Sequence, residues 1–85
     1  MKEQHYQKKI SDSLTKEGWY VIKLIKTNKN GIPDLLALKE NELPMFIEVK
    51  TEKGVLSEIQ KYRLSELNDK GFNCYVSKGI ELIKI

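Results

Sequence analysis

Two acidic residues stand inside apolar, strand-like stretches of this sequence, and they constrain its fold more than any other feature. Asp34 lies in IPDLLALK, and Glu48 lies in MFIEVKT. Because side chains alternate between the faces of a strand, Glu48 and Lys50 should point the same way. Two unpaired carboxylates about 4 Å apart repel each other by roughly 4 kcal/mol at an effective dielectric constant near 20, a large part of a small domain's stability. The fold must therefore offset this repulsion.

Two other segments have the pattern of amphipathic helices. The first runs from residue 3 to about residue 17, ends before Gly18, and carries an apolar residue at every fourth position: Tyr6, Ile10 and Leu14. The second begins at Ser57, where Ser-x-x-Gln predicts a capping box, and ends at Gly71. Each helix is therefore bounded by recognisable start or stop signals.

The remaining apolar segments are rich in β-branched and aromatic residues and are separated by polar turns such as TNKNG and ENELP. The predicted strands are residues 19–26, 32–39, 45–51, 72–77 and 80–85. The resulting order, α-β-β-β-α-β(-β), predicts an α/β fold with a mixed central β-sheet flanked by helices. We expect a single domain over residues 1–85.

The composition is that of an ordinary soluble globular protein, with 40% hydrophobic and 32% charged residues. The formal net charge of +3 permits a polyanionic partner without requiring one. No segment resembles a signal peptide or a membrane span, so we expect a cytoplasmic protein. The single cysteine, Cys74, excludes an internal disulfide or a cysteine-based zinc site, and its apolar surroundings predict a place in the core.

Asp34 and Glu48 would converge near one end of the sheet if the second and third strands pair as a hairpin. A hard divalent cation, Mg²⁺ or Mn²⁺, would turn their repulsion into chelation. Lys50 would then orient or help deprotonate an attacking water, or stabilise negative charge developing on a phosphate. This arrangement suits the hydrolysis of phosphodiester bonds.

These residues resemble the motif of the PD-(D/E)XK nuclease superfamily, here Pro33-Asp34 and Glu48-Val49-Lys50 with residues 35–47 between them. An early helical glutamate, the GIPD and EVK segments and LSEIQ at a helix start resemble more narrowly the VRR-NUC branch. Compact members of that branch in phages and bacteria are stand-alone nuclease domains. The Val-Arg-Arg tripeptide that names the branch is absent here. The resemblance implies a restriction-endonuclease-like fold.

The resemblance also implies a role for each matching position. The metal ligands would be Asp34, Glu48 and the backbone carbonyl of Val49, and Lys50 would serve the attacking water. Gln60 matches the family's helical glutamine beside the active site. The alternative for Gln60 is that it serves only as the capping-box partner of Ser57.

Glu3 matches the acidic residue of the first helix that completes the family's metal site through water. Its alternative role is a favourable charge at a helix N-terminus. Trp19 and Tyr20 either pack in the core or stack on nucleic-acid bases. Four lysines near the predicted strands and turns are candidate phosphate contacts: Lys23, Lys26, Lys29 and Lys53.

The sequence therefore predicts a Mg²⁺- or Mn²⁺-dependent endonuclease that acts on DNA. So small a chain has little beyond the catalytic core with which to read bases, which favours selectivity for branched structures such as Holliday junctions. A homodimer would place two active sites across a symmetric junction. The alternatives are a catalytically silent nucleic-acid-binding module and a protein-interaction domain on the same fold.

Overall fold

A computed structural model describes all residues from 1 to 85 and contains two helices and five strands in the order α-β-β-β-α-β-β, as predicted. The elements are α1 (Glu3–Lys16), β1 (Tyr20–Lys23), β2 (Leu35–Leu38), β3 (Met45–Glu48), α2 (Glu58–Asp69), β4 (Asn73–Lys78) and β5 (Glu81–Lys84). Neither helix has both the length and the apolar character needed to cross a membrane.

The strands form one mixed sheet in the order β1-β2-β3-β4-β5. β1, β2 and β3 are antiparallel neighbours, as the two polar turns predict. β4 runs parallel to β3, and β5 returns antiparallel to β4. Because parallel neighbours need a long crossover connection, α2 lies between β3 and β4 in the chain.

Helix α1 covers one face of the sheet with the three apolar residues that its sequence spacing predicted. They are buried against side chains of the first three strands, and the cluster is Tyr6, Ile10, Leu14, Leu35, Ala37, Met45, Ile47 and Val49. Trp19 packs against this cluster. Tyr20 is 71% exposed, which excludes the core alternative for this residue, because it lies on an edge strand whose next residue, Val21, faces the helix instead.

Helix α2 packs against β4 and begins with the predicted capping box between Ser57 and Gln60. Its one fully buried residue is Leu64. Cys74 is completely buried in β4, which confirms that it is a core residue.

The sheet is shorter at the candidate site than the sequence predicted. β2 begins only at Leu35 and β3 ends at Glu48, so Asp34 precedes a strand rather than lying within it, and Lys50 follows one. The cause lies in the residues at the strand ends: the backbone N–H of Val49 donates to the carboxylate of Asp34, 15 positions earlier, not to a neighbouring strand, and Pro33 has no N–H to donate. The side chains of Asp34 and Glu48 therefore meet where β2 begins and β3 ends.

Candidate active site

The candidate site lies where β3 ends, between the first turns of the two helices. Asp34 approaches it from the residue before β2, and Glu48 from the last residue of β3. Glu3 is the first residue of α1, and Gln60 is the third residue of α2. The structure thus brings together acidic and amide side chains that are distant in the sequence.

Asp34 is fixed through both its side chain and its backbone. Its Oδ2 accepts a hydrogen bond from the backbone N–H of Val49 at 2.8 Å. Its carbonyl oxygen accepts one from the backbone N–H of Leu24, also at 2.8 Å. Among these bonds only one carboxylate oxygen of Asp34 accepts from an N–H group, and the carboxyl group of Glu48 lies within hydrogen-bonding reach of Asp34.

Glu48 is the most deeply buried charged residue, with 2% of its surface exposed. Its Oε2 accepts a hydrogen bond from Gln60 Nε2 at 3.2 Å and lies 3.7 Å from Lys50 Nζ. Burial first, and then the negative charge of Asp34, raise the pKa of Glu48 from 4.5 to about 8, although the charge of Lys50 acts in the opposite direction. Burial and the neighbouring carboxylate therefore favour the protonated form of Glu48 near neutral pH.

Lys50 lies between two carboxylates. Its Nζ is 3.7 Å from Glu48 Oε2 and 4.0 Å from Glu3 Oε2. The Lys50 side chain is only 12% exposed, whereas that of Glu3 is 44% exposed. Glu3 thus contacts the site through its ion pair with Lys50. Its charge in the first turn of α1 also interacts favourably with the helix dipole.

Gln60 makes both of the contacts that the sequence left as alternatives. Its Oε1 accepts from the backbone N–H of Ser57 at 2.9 Å, which completes the capping box. Its Nε2 donates to Glu48 Oε2. One amide group therefore caps the helix with its oxygen and contacts the buried acid with its nitrogen.

The donor set fits a hard divalent cation, because Asp34 and Glu48 offer carboxylate oxygens whose repulsion a cation would relieve. Nowhere in the structure do three or more histidine, cysteine, aspartate or glutamate side chains form a ready metal-binding group. A cation held here would therefore also need non-acidic oxygens, such as the Val49 carbonyl and water.

The four candidate phosphate-binding lysines are not equivalent. Lys26 and Lys29 line a cleft of about 430 Å³ together with Gly31 and Asp34. Lys23 lines a separate depression with residues of α1. Lys53 is exposed in the loop after β3 and lines none of these cavities. The structure thus places two of the four on the cleft that Asp34 also lines.

Sequence reasoning missed Arg63, which anchors the loop that leads to Asp34. Its Nε donates to the carbonyl oxygen of Asn30 at 2.8 Å, and its Nη1 lies 3.3 Å from Glu66 Oε1. Nothing in the sequence marks this arginine, because its partner is a backbone carbonyl 33 positions away. Its contact with Asn30 fixes the cleft wall beside Asp34.

The fold is that of a PD-(D/E)XK-like nuclease domain. The family model of the VRR-NUC domain matches residues 1–81, and this chain belongs to that family. Among curated protein sequences, none matches the chain significantly.

Proposed function

We propose that this chain is a cytoplasmic Mg²⁺- or Mn²⁺-dependent endonuclease that hydrolyses DNA at branched structures, Holliday junctions among them. The nuclease family supplies the reaction class. The observation that carries the proposal is the joint position of Asp34, Glu48 and Lys50 at one end of the sheet.

In this proposal Asp34, Glu48 and the Val49 carbonyl hold the cation, and Glu3 contributes through water. The bound cation would neutralise the charge of the scissile phosphate and favour ionisation of the attacking water. Lys50 Nζ, held beside Glu48, orients that water and stabilises the negative charge that develops on the phosphate. Gln60 fixes the direction of the Glu48 carboxylate.

The lysines supply the contacts to the DNA backbone. Lys26 and Lys29 are the strongest candidates because they share a cleft with Asp34. Lys23 and Lys53 would extend the contact to either side of that cleft. Phosphate contacts of this kind position a duplex without reading its sequence, which favours selection by shape.

A homodimer completes the proposal. The groove between α2 and β5 has a volume of about 720 Å³ and is lined by Val55, Leu56, Ile83 and Ile85 among others. Val55 is 83% exposed and Ile85 is 46% exposed, so apolar surface remains uncovered on the single chain. Light scattering at micromolar concentration should give twice the monomer mass, and a monomer there would remove dimerisation from the proposal.

The test is a cleavage assay with labelled four-way junction, flap, single-stranded and linear duplex DNA in Mg²⁺, Mn²⁺ or EDTA. Asp34→Asn is the contamination control, because asparagine can still accept the bond from Val49 but lacks the charge. We expect cation-dependent nicks, strongest on the junction and absent from the variant.

Three other outcomes would redirect the proposal. Equal cleavage of linear duplex would remove the selectivity for branched DNA. Binding that weakens steeply with salt but gives no cleavage would indicate a silent nucleic-acid-binding module. The absence of both binding and cleavage would favour a protein-interaction domain.

A further inference from the structure

The backbone of Lys50 is held by the end of β4 and by the turn that follows it. Its N–H donates to Ser77 Oγ at 3.0 Å. Its carbonyl oxygen accepts from Ser77 Oγ at 3.3 Å and from the backbone N–H of Gly79 at 2.9 Å. All the backbone hydrogen-bonding groups of this lysine are therefore paired with one short segment.

These hydrogen bonds take the place of the regular hydrogen bonds between β3 and β4, which end before Lys50. The last paired residues of β3 and β4 are Glu48 and Val76, so Lys50 lies beyond the regular sheet. A hydroxyl both donates and accepts, so Ser77 can serve the N–H and the carbonyl of the same residue. Ser77 is completely buried, and water does not compete for these bonds.

Gly79 brings its N–H to the same carbonyl by adopting a left-handed conformation, with φ of +61°. A Cβ added there would lie 2.8 Å from Glu52 Oε1. Because Glu52 is a flexible side chain that can move aside, the turn residue is restricted mainly by its backbone conformation.

We infer that Ser77 is a positioning residue for the reaction, which acts by fixing the Lys50 backbone so that the ammonium group stays beside Glu48. The Ser77 hydroxyl makes two hydrogen bonds, and both are to the backbone of Lys50. Neither of them is to a carboxylate. Without the hydroxyl, the Lys50 backbone keeps only the hydrogen bond from Gly79 and gains freedom to move Lys50 Nζ. This inference rests on the proposed nuclease function.

The experiment compares Ser77→Ala and Ser77→Thr with Cys74→Ala as the matched control. Cys74 lies on the same strand and is equally buried, but it makes no hydrogen bond to Lys50. Amide hydrogen exchange by NMR, measured for Lys50 relative to amides of β2, reports directly how firmly Ser77 holds the Lys50 backbone. The same proteins are assayed for kcat and KM, with and without Lys50→Ala.

In Ser77→Ala we expect exchange of the Lys50 amide to accelerate by about 10-fold relative to β2, the size expected for the loss of one hydrogen bond. We expect kcat to fall by roughly 10- to 100-fold with KM little changed, because the loss is one of alignment. Ser77→Thr, which keeps the hydroxyl, should recover part of the rate. Cys74→Ala should leave both the relative exchange and kcat near the wild-type values.

The double variant decides whether Ser77 acts through Lys50. If it does, adding Ser77→Ala to Lys50→Ala should cause no further loss of kcat. An additive loss there, or unchanged Lys50 exchange in Ser77→Ala, would overturn the inference. A wild-type protein that cleaves no DNA would instead overturn the nuclease proposal, and hydrogen exchange would still show whether Ser77 holds Lys50.

Discussion

The Gln60 amide donates to Oε2 of Glu48 at 3.2 Å and thereby joins the start of α2 to the end of β3. The same amide accepts from the backbone of Ser57 through its oxygen. Gln60 therefore links the stability of a helix start to the orientation of a buried acid, and the two effects can be separated by substitution.

Ser57→Ala should lower stability more than cleavage, and Gln60→Glu should lower cleavage more than stability. Ser57→Ala removes the side chain that accepts from Gln60 N but leaves the Gln60 contact with Glu48, so it should cost about 1 kcal/mol of stability while cleavage continues. Gln60→Glu keeps an acceptor for the Ser57 N–H but offers no donor to Glu48, so cleavage should fall while the helix persists. Urea unfolding and the cleavage rate measure the two effects. Equal loss of rate in both variants would contradict this separation.

Glu48 should make the metal-free protein less stable as the pH rises. Its pKa is about 8 in the folded chain against 4.5 for the ordinary group, so folding favours the protonated form. The stabilisation is complete below about pH 4.5 and is lost as the pH rises through about 8. The melting temperature in EDTA should therefore fall for the wild type relative to Glu48→Gln across this range. Parallel curves for the two proteins would show that Glu48 is not responsible.

Divalent cations should restore the stability that the paired carboxylates cost. A ligand that binds only the folded state adds about 2.7 kcal/mol at a concentration 100 times its Kd. At pH 8 we expect Mg²⁺ or Mn²⁺ to raise the melting temperature of the wild type but not of Asp34→Asn. Asp12→Asn is the control, because Asp12 is an exposed carboxylate on α1 that pairs with Lys8. The assignment fails if the cation stabilises all three proteins equally.

Part of this site could be read from the sequence because it depends on local patterns. The caps at Ser57 and Gly71, the turn clusters and the alternation in MFIEVKT give the element order and place Glu48 and Lys50 on one side. The structure adds that Gln60 contacts Glu48 as well as Ser57, which spacing alone left open.

Other features depend on contacts between distant segments and could not be predicted. The early end of β3 follows from the Val49 bond to Asp34, which exists only once two strands have paired. Arg63 bonds to the Asn30 carbonyl, and a backbone partner carries no sequence signal. Tyr20 looks like a core residue from its neighbours, and only its place on the edge strand exposes it.

The cleft beside Asp34 should contribute to the salt dependence of DNA binding. Replacing Lys26 and Lys29 together with alanine should weaken binding to all duplexes alike. It should also lower the slope of log K against log salt by up to about 2, or roughly 0.9 for each phosphate that a lysine no longer neutralises. The control is the pair Lys9→Ala and Lys16→Ala, which removes the same charge from the groove between α1 and β5. Equal slopes for the two double variants would mean that net charge, not the cleft, attracts the DNA.

Gly31 should be far less replaceable than another glycine with a similar backbone conformation. Gly31 has φ of +79° and Gly71 has φ of +93°, so alanine should cost about 1 to 2 kcal/mol of backbone strain at either position. A Cβ at Gly31 would also lie 2.8 Å from Cγ1 and 2.9 Å from the carbonyl oxygen of Ile59, whereas a Cβ at Gly71 would meet nothing within 4 Å.

The difference between Gly31→Ala and Gly71→Ala therefore isolates the cost of pushing the segment before Asp34 away from α2. We expect Gly31→Ala to lose at least about 1 kcal/mol more than Gly71→Ala in urea unfolding, because a backbone oxygen cannot move aside as a flexible side chain can. The cleavage rate should fall only in Gly31→Ala, since only that displacement reaches Asp34. Matching losses of stability at the two positions would show that the approach of Gly31 to Ile59 does not constrain this loop.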